Sequence, residues 1–182
     1  MKRLFIALVA LCAVSCQTTQ QREVVDYVNN RIGNISHLLV PTYPTSQLPN
    51  AMLRMNPDHN EFTTDRTGGV PMNVPSHRQG SVTMIKPFSG EASVVDASFR
   101  YRYDHEKTSP VRYSVYLDDF AIALDYAPAE HSAIMSCQFE QAGNRFILLQ
   151  NLNAGEIFAE GNRMWGYDTY YDTPHYFFLE FD

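Results

Sequence analysis

The chain has 182 residues, a formal net charge of −6 and 13% aromatic residues, among them 11 Tyr and 11 Phe. This negative charge and the lack of any Lys/Arg cluster argue against a nucleic-acid-binding protein. The abundance of Tyr favours β structure and is also common at sites where sugars stack on aromatic rings, and composition alone does not separate these two causes.

The N-terminus has the layout of a secretory signal peptide. Lys2 and Arg3 form a short positive region, an apolar run follows at residues 4–14, and a small residue precedes Cys16. The apolar run is too short to span a bilayer, which needs about 20 residues. We therefore predict a signal peptide over residues 1–15 and lipidation of Cys16. The alternative is an ordinary signal peptide followed by a chance cysteine.

Residues 16–23 are predicted to be the lipidated cysteine and a polar tether that lifts the remaining chain off the membrane. A diacyl or triacyl cysteine suffices as an anchor, so this reading needs no transmembrane helix. Gln17 is not a retention signal for the inner membrane, which predicts a cell-envelope protein of the outer-membrane lipoprotein type, at the surface or periplasmic face. Cleavage also removes Cys12 and leaves Cys137 alone in the folded part, which predicts no internal disulfide.

The predicted folded part, residues 24–182, shows the patterns of β structure rather than those of helix. Residues 23–32 allow either one short turn of helix or a strand, and we favour a strand or loop. Residues 40–80 are rich in Pro, Asn, Gly and Thr, which predicts ordered loops with short strands between them.

From residue 81 onward, apolar residues recur at every second position, which is typical of half-buried strands. Asp118 and Asp119 separate two such runs and predict a hairpin with an acidic turn. The apolar run at 146–152 predicts a central strand buried on both faces, whereas Trp165 and the Tyr residues after it are assigned to a loop or an edge strand. The predicted strands are 82–88, 99–103, 111–117, 120–126, 133–139, 146–152, 157–159 and 175–181.

Many short strands with turn signals between them predict an all-β fold, either a sandwich or a barrel. We favour an antiparallel β-sandwich, because two sheets can share one core in a chain of this length. The last predicted strand ends on apolar residues with no polar tail. This leads us to expect that the sandwich is truncated at its C-terminal end, or that something else covers that edge.

Several short motifs, taken in order, resemble the N-terminal domain of glycoside hydrolase family 92, the calcium-dependent exo-acting α-mannosidases common in gut Bacteroidetes. The Tyr-Pro motif and the Ser-Val-Tyr-Leu-Asp-Asp motif together carry most of the resemblance, which covers essentially the whole mature chain. The motifs are 26–29 with 32–33, Thr42-Tyr43-Pro44, Leu48-Pro49 with Met52 and Pro57, Ser76-His77 and 113–119.

The resemblance implies a β-sandwich of the supersandwich type, followed in the family by a much larger helical barrel. It also implies that the active site lies between the two. The general acid, the general base and the calcium ligands would come mainly from the barrel. We therefore expect no catalytic residue, no metal site and no cofactor in this chain, and Ca²⁺ only in a catalytic domain that this sequence lacks. The expected partners are mannose-containing glycans, that catalytic domain and, through the lipid, the membrane.

The candidate sugar-binding residues are Tyr43, Asn50, His77 and Arg78. In the family the Ser-His segment faces the sugar, and a neutral imidazole could hydrogen-bond a hydroxyl; the alternative is a histidine on a surface loop. Tyr43 could stack on a sugar face or simply pack on the sandwich. The family usually has Gly-Ala after Tyr-Pro and Phe-Gly before the Met, and the residues here are Thr45-Ser46 and Asn50-Ala51.

Trp165, Tyr167 and Tyr170 form a second candidate region, either a stacking platform for glycan or an apolar patch that docks the catalytic domain. We favour docking. The neighbouring carboxyls Asp118 and Asp119 are assigned to the turn rather than to catalysis, because Asp in a hairpin turn commonly accepts backbone hydrogen bonds.

The sequence thus predicts the site-shaping N-terminal domain of a family 92-like α-mannosidase that is inactive by itself. Two alternatives stay open: a stand-alone glycan-binding surface lipoprotein, and a structural protein that pairs its last strand with a partner.

Overall fold

The computed structural model describes residues 22–34, 38, 42–58, 65–75, 80–92 and 96–182. The predicted signal peptide, Cys16, His77 and Arg78 lie outside these residues. The described part is all-β and antiparallel, as predicted. No helix in it is long and apolar enough to cross a membrane. Its strands are β1 Arg66–Thr67, β2 Val70–Asn73, β3 Val82–Ser89, β4 Tyr101–Ser109, β5 Arg112–Leu117, β6 Ile122–Pro128, β7 Ala133–Phe139, β8 Arg145–Gln150, β9 Gly155–Glu160, β10 Arg163–Tyr170 and β11 Thr173–Glu180.

The strands form a five-stranded sheet in the order β1-β4-β5-β6-β7, and two three-stranded sheets in the orders β2-β3-β8 and β11-β10-β9. The first two sheets face each other. Val70 from β2 belongs to the same core cluster as the inward residues of β4 to β6, and the Tyr101 hydroxyl donates a 2.8 Å hydrogen bond to the Pro87 carbonyl across the gap. The rings of Phe99 and Phe120 both contact that of Phe88, with centroids 6.2 Å away.

The core is densest over β5 and β6, where alternate residues are buried as the period of two predicts. Ile122 is fully buried, and Leu117 and Leu124 are nearly so. The hairpin turn between these strands is a short 3₁₀ turn, Asp118–Phe120, which confirms the predicted acidic turn. Ala121 closes it in the left-handed conformation, with φ 50°.

Three sequence predictions differ from the structure. Val24–Tyr27 is a 3₁₀ turn rather than a strand or loop; Asp26 accepts a 2.9 Å bond from the backbone N–H of Glu23 and stabilises the turn. Most of the apolar run at 146–152 forms β8, which among the described residues pairs only with β3 and is therefore an edge strand. The Trp165 region is not a loop or an edge, because β10 is the central strand of its sheet and pairs with both β9 and β11.

The β9–β11 sheet is joined to the sandwich mainly through one carboxylate. Asp168 on β10 is fully buried. It accepts backbone N–H bonds of 2.8 Å from Thr83 at the start of β3 and of 2.8 and 3.0 Å from Leu152 and Asn153 after β8. A fourth bond, 2.9 Å, comes from Thr169. Charge-assisted bonds of this kind are about twice as strong as neutral ones, so Asp168 fixes where the third sheet begins.

One side of the sandwich is open. The facing sheet has three strands against five, and the inward residues of β7 are only half-buried, unlike those of β6. Between β7, β8 and the end of β11 lies a cleft of about 700 Å³, lined by apolar side chains that include Met135, Phe139, Ile147 and Leu179.

Candidate functional site

The first candidate region is the loop that carries Asn50, with Tyr43 just before it. Ser46 and Met55 form a two-way antiparallel bridge that closes this loop, with N···O distances of 2.8 and 3.2 Å. The buried Ser46 hydroxyl donates to the Ser109 carbonyl at 2.8 Å, which ties the base of the loop to the β4–β5 turn. Its far end is held by a 2.9 Å bond from the Met52 N–H to the carbonyl of Glu130, in the β6–β7 turn. The loop is therefore fixed at both ends.

Asn50 lies inside this loop and is exposed, whereas Tyr43 precedes the Ser46–Met55 bridge and is half-buried. Asn50 has φ 61°, in the left-handed region that Asn tolerates better than most residues. The turn thus keeps its tight backbone although Ala51 stands where the resemblance expects glycine. Arg54 further stabilises the loop, because its Nε donates a 3.1 Å hydrogen bond to the Gln47 side chain.

A second loop lies beside the first. The backbone N–H of Arg54 donates to the Asn73 side chain at 3.0 Å, and the N–H of Val74 donates to the Arg54 carbonyl at 2.9 Å. Residues 76–79, which carry the predicted His77 and Arg78, follow directly but lie outside the described residues. The structure therefore brings one end of their segment against the Asn50 loop.

The other end of that segment meets Tyr170. A Cβ on Gly80 would come within 2.0 Å of the Tyr170 ring, so only glycine allows this ring to approach the backbone so closely. Gly80 also has φ 88°, a left-handed conformation. Tyr170 thus packs over Gly80, on the face of β10 opposite to Trp165.

Trp165 and Tyr167 lie on the other face of β10, as part of an exposed aromatic row. Trp165 pairs across the strands with Phe158 on β9 and Phe178 on β11, and Tyr167 pairs with Tyr176. The Phe158 and Trp165 rings are nearly parallel, at 24° and 6.2 Å between centroids. We call these five residues the aromatic face. Trp165 is 36% exposed and Phe178 60%, so the face is open to solvent.

Carboxylates border the aromatic face. Glu156 lies opposite Tyr167, and Glu160 and Glu180 lie opposite Arg163 in the strand register. Arg163 and Glu180 form an exposed ion pair of 3.1 Å. A flat apolar surface with hydrogen-bond acceptors at its border can stack on a sugar ring and accept bonds from its hydroxyls.

The acidic turn has a structural role. Asp119 accepts bonds of 2.7 Å from both the backbone N–H and the Nε of Arg102. Partial burial of Asp119 opposes ionisation, but these bonds and the positive charge outweigh it and hold the pKa of Asp119 below its usual range. This matches the assignment of the turn carboxyls to backbone hydrogen bonding.

A metal site needs several carboxylate, imidazole or thiolate side chains close together. The described residues contain no group of three or more His, Cys, Asp or Glu that could hold a cation. The most buried carboxylate among them, Asp168, uses its oxygens on backbone N–H groups. We therefore derive no chemistry through calcium from these residues.

Sequence reasoning missed Asp168 altogether. No local signal marked it, because its role depends on bonds to the backbone of other strands and loops, at Thr83, Leu152 and Asn153.

A family model described as the glycosyl hydrolase family 92 N-terminal domain matches residues 27–182. The chain belongs to glycosyl hydrolase family 92. The match begins within the 3₁₀ turn and runs through every strand of this family 92 domain, which confirms the resemblance drawn from its motifs.

Solved structures agree on the fold. The family GH92 α-mannosidase BT3965 from Bacteroides thetaiotaomicron matches with a TM-score of 0.68 and 20% identity, over 81% of this chain and 23% of its own. The same enzyme with bound mannoimidazole matches with a TM-score of 0.66 and 20% identity, over 80% of this chain and 23% of its own. The inverting family GH92 mannosidase BT2199 from the same organism matches with a TM-score of 0.69 and 21% identity, over 82% of this chain and 23% of its own. The family 92 chain described here thus spans about a quarter of each relative's length, and no curated protein matches it.

Proposed function

We propose that this chain is the site-shaping, sugar-contacting N-terminal domain of a family 92-like α-mannosidase that acts on mannose-containing glycans. The observation that carries the proposal is the family match over residues 27–182, in a fold shared with an α-mannosidase and an inverting mannosidase of family GH92. Hydrolysis is assigned to a helical catalytic domain outside these 182 residues, together with its Ca²⁺. The chain itself is proposed to hydrolyse nothing.

The sugar contacts are assigned to the loop site. This site comprises the Asn50 loop, the Asn73–Val74 backbone to which Arg54 bonds it, and, as proposed members, His77 and Arg78, which follow Val74 in the sequence. A half-buried Tyr43 offers a ring edge, and amide and imidazole groups can hydrogen-bond hydroxyls. Fixed loops of this kind preorganise a pocket, because little loop entropy remains to be lost when a sugar binds.

Two assays test this proposal. The full chain, incubated with α-mannosides and Ca²⁺, should release no mannose. Titration calorimetry with mannoimidazole should show weak binding, which Asn50→Ala and His77→Ala reduce and Gln138→Ala, at an exposed position on β7, leaves unchanged. Release of mannose would contradict the assignment of hydrolysis elsewhere. An absence of heat at millimolar ligand would contradict the sugar-contacting role.

A second candidate function is glycan binding by the aromatic face, as in a stand-alone glycan-binding surface lipoprotein. It is favoured by the exposed aromatic row and its bordering carboxylates. Trp165 is the only Trp in the chain, so its fluorescence reports on this face alone. If mannose oligosaccharides shift the Trp165 emission, and Trp165→Ala removes the heat of binding while Asn50→Ala does not, this function is supported over the first.

We also propose that the chain is exported and anchored by lipid on Cys16. The charged, apolar and small-residue order of residues 2–16 supports this. Labelled palmitate should be incorporated into the chain expressed in a Gram-negative host and should be lost in Cys16→Ala but kept in Cys12→Ala. Incorporation into Cys16→Ala would contradict the anchor.

A further inference from the structure

The residue before Tyr43 is bonded to the N-terminal segment of the described chain. The backbone N–H of Thr42 donates a 2.9 Å hydrogen bond to the carbonyl of Gly33, and the Thr42 hydroxyl donates a 2.8 Å bond to the carbonyl of Ile32. A Cβ on Gly33 would come within 2.8 Å of that hydroxyl oxygen, and its φ of 83° also favours glycine. The chain that leads into Tyr43 is therefore packed closely against residues 32–33.

The chain that leaves Tyr43 is bonded to the same segment. The side-chain amide of Asn30 donates a 2.7 Å hydrogen bond to the carbonyl of Thr45, and the Thr45 hydroxyl donates a 3.2 Å bond to the carbonyl of Tyr43. Ser46, the next residue, begins the bridged loop that carries Asn50. Residues 30–33 thus hold the backbone on both sides of the Tyr43 ring.

One arginine attaches residues 30–33 to strand β4. Nη2 of Arg31 donates hydrogen bonds to the backbone carbonyl of Glu106 at 2.9 Å and to its carboxylate Oε2 at 3.2 Å. The Tyr113 hydroxyl donates a 3.0 Å bond to Oε1 of the same carboxylate. Burial and the negative charge of Glu106 raise the pKa of Tyr113 well above its usual value, so the hydroxyl stays a donor. The Glu106 side chain is only 6% exposed, and such a carboxylate depends on its partners because an unpaired buried charge is costly.

A β-bulge gives Glu106 its position. The pairing of β4 with β5 shifts register between Asp104 and Lys107, and His105 within the bulge has φ 53°. Asp104 and His105 are both exposed, so the alternation of β4 changes phase and Glu106 becomes the less exposed residue. The bulge therefore places a carboxylate where regular alternation would have placed His105.

We propose that Asn30 and Arg31 are positioning residues of the sugar site. Arg31 fixes residues 30–33 to Glu106 on β4, and these residues fix Tyr43 in the orientation in which its ring contacts the sugar. The inference rests on the proposed function, in which Tyr43 is one of the sugar contacts. A ring that is already held in place loses little conformational freedom on binding, so the attachment contributes to affinity without any contact between Arg31 and the sugar.

Titration calorimetry of the full chain with mannoimidazole is the first test. Arg31→Gln and Glu106→Gln each remove one charge of the pair and should weaken binding about five- to tenfold, because Tyr43 must then be ordered when the sugar binds. Arg31→Lys should restore most of the affinity, since Arg31 uses a single nitrogen for both bonds and an ammonium can donate to the same oxygens. The matched control is Arg102→Gln, which removes a 2.7 Å pair with Asp119 on the same strand and should leave affinity unchanged.

Hydrogen exchange in the same variants provides a readout that does not need a sugar. The Thr42 amide should exchange faster in Arg31→Gln and Glu106→Gln than in the unsubstituted chain and in Arg102→Gln. Unchanged protection of the β6 amides in all variants verifies that the sandwich stays folded. Faster exchange of Thr42 without any loss of affinity would overturn the proposal, because the attachment would then be structural alone. A loss of affinity without faster exchange of Thr42 would also overturn it.

The two readouts separate this inference from the proposed function. If the unsubstituted chain binds no mannoimidazole, the sugar-contacting role fails, and the Thr42 amide alone decides whether Arg31 positions this part of the chain. Exchange of that amide at the same rate in the unsubstituted chain and in Arg31→Gln would overturn the inference whether or not the sugar binds.

Discussion

β6 and β7 are neighbours in one sheet and have the same alternating pattern, yet they end in different surroundings. The inward residues of β6 are buried beneath β2 and β3, whereas those of β7 are half-buried beside a cleft. The side chains of β9 and β11 are mostly exposed, and this sheet presents a row of aromatic side chains to solvent. Alternation thus shows which face of a strand is apolar, but whether that face is covered depends on how many strands stand opposite.

Two parts of the molecule therefore differ in how they are stabilised. The part around β4, β5 and β6 is a scaffold stabilised by its own core. The part around β7 and β9–β11 has less burial of its own and exposes apolar side chains, among them Ile134, Phe158 and Phe178. Substitutions, thiol labelling and pH-dependent unfolding can test this division, with effects that range from about 4 kcal/mol to less than about 1 kcal/mol.

Asp168→Ala should be the most damaging single change, since it leaves four backbone N–H groups without their carboxylate. We expect a loss of about 4 kcal/mol in the free energy of unfolding, measured by urea denaturation. Glu156→Ala, an exposed carboxylate on the same sheet, should cost less than about 0.5 kcal/mol. Equal losses in the two variants would show that Asp168 does not join the third sheet to the sandwich.

Ile122→Ala and Met135→Ala test the comparison of β6 with β7 directly. Ile122 is fully buried, and its truncation should cost about 3 kcal/mol because it leaves a cavity in a packed core. Met135 borders an existing cleft, so its truncation should cost about 1 kcal/mol. Urea unfolding of both variants at low protein concentration gives the two values. Similar costs would mean that β7 is as well covered as β6.

Cys137 provides a chemical probe of the same strand. Burial raises the pKa of its thiol to about 11. At pH 8 its thiolate fraction, and hence its rate of reaction with a thiol reagent, should be about 10²-fold lower than for an unperturbed cysteine. The rate is measured with Cys12 and Cys16 replaced by Ser, against the urea-unfolded chain as the control. A rate near that of the unfolded chain would place the thiol in open solvent.

Asp119→Asn should have the smallest effect, less than about 1 kcal/mol, because the bonded pair is largely exposed. The folded pKa of Asp119 is depressed, so its contribution is present above about pH 4 and is lost as the pH falls through the folded pKa. Unfolding of both proteins from pH 7 down to pH 2 should therefore converge at the acid end. Asp118→Asn serves as the neighbouring control. A difference that grows towards low pH would contradict the assignment.

The sequence predicted the fold class and most strands because alternation and turn residues are local signals. It could not predict that β8 is an edge strand, since an apolar run does not reveal how many neighbours a strand has. It placed Trp165 in a loop or edge because its surroundings are polar, whereas cross-strand pairing with Phe158 and Phe178 makes β10 central.

The sugar-binding residues remain a prediction. Asn50 lies in an ordered loop that is hydrogen-bonded to the Asn73–Val74 backbone, and Tyr43 precedes that loop. Tyr170 was grouped with Trp165, but the two side chains lie on opposite faces of β10, and Tyr170 packs over Gly80. Contacts across 90 residues of sequence have no local signal, which is why this one and the bonds of Asp168 were not predicted.

The division into a closed scaffold and an open side is tested most directly by native-state hydrogen exchange of the full chain at low protein concentration. We predict that amides of β5 and β6 exchange only through global unfolding, and that those of β7 and β9–β11 exchange through local opening at a much lower free energy. Uniform protection across all these strands would contradict the division, because it would mean that the open side is as stable by itself as the core.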